Sequence, residues 1–351
     1  MHLWISAGEL SGDQRAAELF RARPDRLADI AAFGITGPNL AAAGVESVGT
    51  IDRFSAMGLG EVMRLLPRAI RLLTRADRAC RKRRPAAAIL VDFGAWHMQL
   101  GQRLRRQQIP VFHLAPPKLW AWGTWRARTL QRSADAVGVL FPFEVPFYER
   151  LGLEVVHVGH PAAAHHVVRG DASRLLLLPG SRPAEVAAHL PIMLKATEKL
   201  ATRAGLRRTL CLPPNVQPPQ PLPGDVELRR VHGPEAFGDG AIAVAASGTV
   251  NIELAALGIP FVACYRMAET TFRVGMPLVR VRWLNPVNLS AGNLVVEELV
   301  QDAMTALNLE RALSRTWERR AAISTELEHV AASLRRPDGL AACWEVLSRW
   351  L

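Results

Sequence analysis

Lysine is almost missing from this chain, with four among its 43 basic residues, so a formal net charge of +11 at neutral pH rests on arginine. Such a surface favours anionic partners such as nucleotides or phospholipid. No nucleic-acid reading motif accompanies it, and no nucleic acid is expected as a partner. Cysteine is scarce too. Cys80, Cys211, Cys264 and Cys343 lie far apart with no CxxC or Cys/His spacing, which excludes a disulfide framework and a structural zinc site and fits a reducing cytosol. No apolar run reaches eighteen residues without a charge, and Glu9 interrupts the start too early for a signal core. The expectation is a cytoplasmic protein, neither secreted nor membrane-spanning. There is no GxxxxGK phosphate loop, no GxSxG elbow and no Cys/His nucleophile pair, and a lone GLG at Gly58 is too weak for a dinucleotide fingerprint. The paired His165 and His166 have no third ligand nearby, so no metal is expected.

What is present is alternation. The 351 residues, 49% hydrophobic, exceed one ordinary domain. Short apolar runs (LWISA, IAAFGI, AAAILVD, VFHLAP, AVGVLF, VVHVG) read as strands separated by helical segments such as QRAAELFRAR and MQLGQRLRRQQ. The stretch from Ala162 to Ser173 lacks an apolar period and suits a linker. The pattern then restarts with LLLLPGS, RTLCLP, VELRRV, AIAVAAS and PFVACY, while the proline-punctuated Leu212 to Asp225 reads as a surface loop. The fold class is therefore α/β, with doubly wound Rossmann-like domains at 1–165 and 172–330 and a helical C-terminal segment at 331–351. Two such domains facing each other would hold a ligand at the carboxyl ends of their strands.

Four strand-end stretches could carry chemistry. In ILVDFG a single carboxylate, Asp92, follows a buried run, either as a catalyst or as a strand-end cap. In SAGELSGD, Glu9 and Ser11 sit at a glycine-rich turn into a helix, where Ser11 or Asp13 could equally be a cap. LPGSRPAEV places Arg182 at a helix start, as an anion site or a capped turn with a solvated arginine. ASGTVNIE offers Ser247, Gly248 and Thr249 with Glu253 one turn on, fitting a phosphate and a ribose or a plain N-cap. Beside these, Trp120, Trp122 and Trp125 crowd into LWAWGTW, as core or as the wall of an apolar or sugar site. Arg64, Arg68, Arg71, Arg75 and Arg78 recur along one face of a segment whose other face is apolar. That face could lie on an anionic membrane or pack on the sheet.

In this order, SAGELSGD, GITGPNLAAAGVE, SAMGLGEVM, VD, LAPPKLWAWGTWR, FPFEVPFY, VGHP, LPGSRPAEV, ASGTVNIELA and NPVNLSAGNLVVEELVQ resemble the lipid-A-disaccharide synthase family of GT-B glycosyltransferases, from Leu3 to Asp302. The resemblance implies a metal- and cofactor-free hexosyltransferase. It would move a diacylated glucosamine from UDP, with inversion, onto the 6-hydroxyl of a diacylglucosamine 1-phosphate, giving a β-1,6 disaccharide and UDP. It implies a peripheral location on the inner face of the inner membrane, a lipid acceptor, and a homodimer through C-terminal segments. It assigns UDP-sugar binding to Arg182, Ser247, Gly248, Thr249, Glu253, Asn288, Glu298 and Gln301. Asp92 would be the catalytic carboxylate aided by Glu9, with Ser11, Trp120, Trp122 and Arg126 on the acceptor side. The family's usual Pro, Asp, Phe and Asn after the aspartate are here Gly94, Ala95, Trp96 and His97, Asn293 stands for an arginine, and Gly123 stands where arginine is common. Those departures motivate the alternatives: another acceptor, UDP-sugar epimerisation, or a catalytically silent UDP-sugar-binding scaffold.

Overall fold

The computed structural model describes residues 1–50, 59–164, 170–267, 272, 279 and 281–351, with side chains from residue 66 onward in the helix that starts at Leu59. Gly58, the start of the SAMGLGEVM motif, His165 and His166 lie outside the described residues. The chain forms two compact units, Met1–Gly159 with Arg336–Leu351, and His160–Arg335.

The first unit is a seven-stranded parallel sheet: β1 (His2–Ala7), β2 (Ala31–Thr36), β3 (Glu46–Thr50), β4 (Ala87–Val91), β5 (Val111–Leu114), β6 (Ala136–Val139) and β7 (Glu154–His157), in the order β3-β2-β1-β4-β5-β6-β7. Its inner strands β1, β2, β4, β5 and β6 are near-continuously buried because helices cover both faces. Side chains alternate between those faces. Leu3, Ile5 and Ala7 point into one cluster with Phe20 and Trp344, while Trp4 enters the other with Leu90, Met98 and Leu104. Each such fully buried large side chain contributes roughly 1.5–3 kcal/mol.

The segment 331–351, expected as one helical element, is divided. The helix Arg320–Leu334 closes within the second unit, whereas Gly339–Leu347 buries Cys343, Trp344, Val346 and Leu347 against the first sheet, and Trp344 Nε1 donates to the Leu19 carbonyl at 2.8 Å. An amphipathic helix docks where an apolar face is open, whichever chain segment precedes it.

The second unit is a six-stranded parallel sheet of β8 (Arg174–Leu178), β9 (Arg207–Leu212), β10 (Val226–Arg230), β11 (Gly240–Ala246), β12 (Phe261–Tyr265) and β13 (Glu298–Val300), in the order β10-β9-β8-β11-β12-β13. Leu175, Leu177, Val244 and Val262 pack against Val186, Leu190 and Leu313 of the covering helices.

The arginine-rich helix runs Leu59–Arg83. Leu73, Ala76 and Cys80 pack it onto the first sheet, yet Leu66 and Ile70 stand in solvent beside the exposed Arg68 and Arg71. All four cysteines are free and buried, and burial pushes the Cys211 and Cys343 thiols up to about 12. No described helix is long and apolar enough to cross a membrane.

Candidate active site

In the first sheet the strand order reverses between β1 and β4, which lie side by side, and sheets of this kind open a crevice at the carboxyl ends of such strands. Asp92 follows β4 directly and Glu9 stands two residues past the end of β1. Glu9 occupies the N-cap position of the helix Leu10–Arg21 and is exposed, as is Ser11. Asp13, a residue with a possible capping role, serves another helix: its buried carboxylate accepts from Gly37 N and Asn39 N at 2.7 Å and from Leu40 N at 3.2 Å, capping Pro38–Ala42.

Asp92 and Phe93 both adopt left-handed backbone, with φ of 56° and 53°. Each costs on the order of 1–2 kcal/mol for a residue other than glycine, a strain that persists only where the surroundings impose it. Phe93 is the N-cap of the helix Gly94–Arg106 and has no side-chain cap, so the Asp92 carbonyl falls just outside the helical ladder. Two histidines satisfy it. His97 Nδ1 donates to Asp92 O at 2.8 Å and His113 Nε2 at 3.1 Å. A carbonyl only accepts, so those nitrogens carry the hydrogens, and His97 Nε2 is left to accept from Ser6 Oγ at 2.9 Å. Trp4 Nε1 donates in turn to Ser6 Oγ at 3.1 Å. Burial pushes His97 down to about 3 and His113 down to about 4, so both rings are neutral at physiological pH.

The Asp92 carboxylate meets Arg15 Nη1 at 2.6 Å. Burial pushes its pKa above the usual carboxylate value, Arg15 opposes that, and the charge of Glu9 reinforces it. Two glycines of SAGELSGD make this packing possible. A Cβ on Gly8 would lie 2.0 Å from the Phe93 ring, and one on Gly12 3.2 Å from Asp92 Oδ2.

The tryptophan cluster divides by role. Trp120 is half-buried, and its Nε1 donates at 2.8 Å to Glu144, which also accepts from Leu140 N and Phe141 N. Burial raises the Glu144 pKa against the pull of those donors. Trp122 and Trp125 are 47% and 63% exposed, and the Arg126 guanidinium stacks 4.7 Å from the Trp122 ring. They form an open apolar and cationic surface.

In the second sheet the order reverses between β8 and β11, and the two loops singled out for a diphosphate follow these very strands. Arg182 is the N-cap of the long helix Pro183–Ala204 and pairs with Glu185 at 2.8 Å. Ser247 N donates to Cys264 O, while Gly248 and Thr249 are exposed; Glu253 lies one turn into Val250–Ala256. A Cβ on Gly248 would meet nothing within 4 Å, so the chain's own packing does not demand glycine there.

Asn288 and Glu298 come together beside β12, and Gln301 follows β13, which pairs with β12. Asn288 is buried with both donors and its oxygen engaged: Nδ2 donates to Val296 O and Glu298 Oε1, and Oδ1 accepts from Val295 N and Val296 N. Glu298 Oε2 accepts from Leu284 N at 2.8 Å, and Gln301 clamps the Met267 backbone through both amide atoms. Buried Asn251 and Asn285, bonded at 2.9 Å, extend this framework. Among the described residues, no three His, Cys, Asp or Glu side chains form a group that could hold a metal.

The profile of the lipid-A-disaccharide synthetase family matches residues 3–335. The chain belongs to the lipid-A-disaccharide synthase family. It is 36% identical over 361 residues to the lipid-A-disaccharide synthase of Anaeromyxobacter dehalogenans, covering 95% of this chain and 93% of that protein. It is 34% identical over 375 residues to that of Alkalilimnicola ehrlichii, covering 97% of each. Among solved structures it resembles the glycotransferase of kitacinnamycin, with a TM-score of 0.70, 16% identity and coverage of 100% and 99%. It also resembles the UDP-GlcNAc 2-epimerase of Neisseria meningitidis, with a TM-score of 0.65, 13% identity and coverage of 99% and 100%. These likenesses fix the fold as GT-B. The sequence reading gave no role to Arg15, Ser6, His97, His113, Asn251 or Asn285. The available signal was a polar residue in an otherwise apolar run, as in VFHLAP.

Proposed function

We propose that this chain is an inverting glycosyltransferase that moves a diacylated glucosamine from UDP to the 6-hydroxyl of a diacylglucosamine 1-phosphate, forming a β-1,6 lipid disaccharide and UDP. The observation that carries this reading is the placement of LPGSR and ASGTV at the switch point of the second sheet, in a chain matched to this family from residue 3 to 335. Arg182, Ser247, Gly248, Thr249 and Glu253 take the UDP, the open space at Gly248 letting a phosphate reach the backbone. Asn288 holds Glu298 in place, since its own amide has no group left for a ligand, and Gln301 fixes the neighbouring backbone.

Asp92 acts as general base. The acceptor oxygen forms its bond to the anomeric carbon as the bond to UDP breaks, and the hydroxyl proton passes to the Asp92 carboxylate. Glu9 raises the basicity of Asp92 and Arg15 restrains it. Removal of the ion pair in Arg15→Leu is expected to shift the acidic limb of the kcat/KM profile to higher pH, because the base must be ionised and its pKa rises once the cation is gone. An unmoved limb would assign that limb to another group.

Ser11, Trp120, Trp122 and Arg126 serve the acceptor, and the exposed Leu66 and Ile70 with Arg68 and Arg71 dock peripherally on an anionic membrane face. Wild type should sediment with vesicles containing anionic phospholipid and not with neutral ones, and Leu66→Ser with Ile70→Ser should abolish that. Equal sedimentation of the double variant would remove this surface from consideration.

The test of function is transfer from UDP-diacylglucosamine, read by mass spectrometry. Lipid disaccharide and UDP are expected. A free isomerised sugar would replace this reading by epimerisation, a different conjugate by another acceptor, and UDP-dependent thermal stabilisation without product by a silent scaffold.

A further inference from the structure

We propose that His97 and His113 are positioning residues for the transfer reaction, locking the Asp92–Phe93 backbone in its left-handed conformation and so fixing where the Asp92 carboxylate stands. The inference rests on the reading of Asp92 as the base.

The geometry converges on one atom. The carbonyl oxygen of Asp92 receives an N–H from a ring on the following helix and another from a ring on β5, at 2.8 and 3.1 Å. Both rings are fully buried and lie edge-on to each other, with centroids 5.8 Å apart. The His97 ring is anchored in turn by Ser6 at the end of β1, and Trp4 anchors Ser6. Three adjacent strands, β1, β4 and β5, are thereby tied to the peptide that follows Asp92. The Asp92 amide is tied as well, donating to Leu114 O at 3.0 Å.

A structural role alone explains this poorly. His113 Nδ1 is buried with no partner among the described residues, so an apolar side chain of similar size would fill the space at lower cost. What an apolar side chain would lose is the N–H to Asp92 O. Two consecutive residues at positive φ need such restraint, because the carboxylate swings with the peptide that carries it. The rings do not titrate near neutral pH, so each keeps one N–H with a fixed direction.

The test is a double-mutant cycle in the transfer assay on the full chain. His113→Phe and His97→Phe keep a planar ring and lose the donor. Each is expected to lower kcat about ten- to a hundredfold, with the KM for the UDP-sugar within about twofold. His113→Gln and His97→Asn, which restore an N–H near Nε2 and Nδ1 respectively, should recover most of that loss. Combining His113→Phe with Asp92→Asn should add no further loss, since a residue acting through Asp92 has nothing to position once the carboxylate is gone. Multiplying losses, or Phe variants with wild-type kcat while Asp92→Asn is impaired, would overturn the positioning role and leave the base intact. Wild-type turnover by Asp92→Asn would overturn the base itself. If the Phe variants do not fold, the Gln and Asn variants decide: near-wild-type kcat supports the role, and a loss that multiplies with Asp92→Asn overturns it.

Discussion

Asp92→Asn is expected to turn over about a hundred- to ten-thousandfold more slowly than wild type, the usual range for removing a general base. The substitution is chosen because it changes little else. Asparagine adopts left-handed backbone at least as readily as aspartate, so the φ of 56° is not a reason for it to misfold. Its side-chain oxygen still reaches Arg15, now without charge, and its backbone carbonyl still takes both histidine N–H groups. The lost ion pair is partly exposed and worth no more than about 1 kcal/mol, and uncharging a carboxylate whose pKa burial had raised works in the opposite direction. The melting temperature should therefore move by a few degrees at most while kcat collapses. The KM for the UDP-sugar should hold, since LPGSR and ASGTV, the loops proposed to take the donor, belong to the second unit. Turnover equal to wild type would move the base to another carboxylate, with Glu9 first in line.

The sheets were legible because their strands are runs of apolar residues closed by Gly, Pro or a carboxylate. Two of the four edge strands, β3 and β13, were not. β3, Glu46–Thr50, has one buried residue in five, and β13 is three residues long with none fully buried, so neither carries a periodic signal. At the candidate site, residues at strand ends were marked as candidates because doubly wound sheets put chemistry there. Their supports were not. Arg15 reads as one more arginine on an amphipathic helix, and only the fold brings it to a carboxylate 77 positions away. His113 looks like a strand residue until its ring is seen to reach the Asp92 carbonyl. Asn288 is the converse case: the motif marks it as a ligand, and in this structure its four hydrogen bonds are all internal. The departure after Asp92 also gains a physical content, since His97 fills the last altered position with an N–H aimed at the backbone of the aspartate itself.

Two glycine substitutions should separate what the fold requires from what a ligand requires. In Gly8→Ala the new methyl would lie 2.0 Å from Phe93 Cγ and 2.1 Å from its Cβ, atoms that cannot swing away as the tip of a flexible chain does. The ring is held by Trp96 at 5.4 Å and His97 at 5.6 Å between centroids, and its backbone is already left-handed. The clash must be relieved through the main chain, which moves Asp92. Overpacking of this kind costs about 1–3 kcal/mol, and displacement of the base by about an ångström lowers kcat about a hundredfold, with the donor KM unchanged. Gly248→Ala should do the reverse. Its methyl enters open space, so the melting temperature should stay put, yet a phosphate seated against that backbone would meet it, and the donor KM should rise. A Gly8→Ala protein with wild-type kcat would show that the Phe93 contact does not govern Asp92. A Gly248→Ala protein with wild-type KM would show that the diphosphate lies elsewhere than on ASGTV.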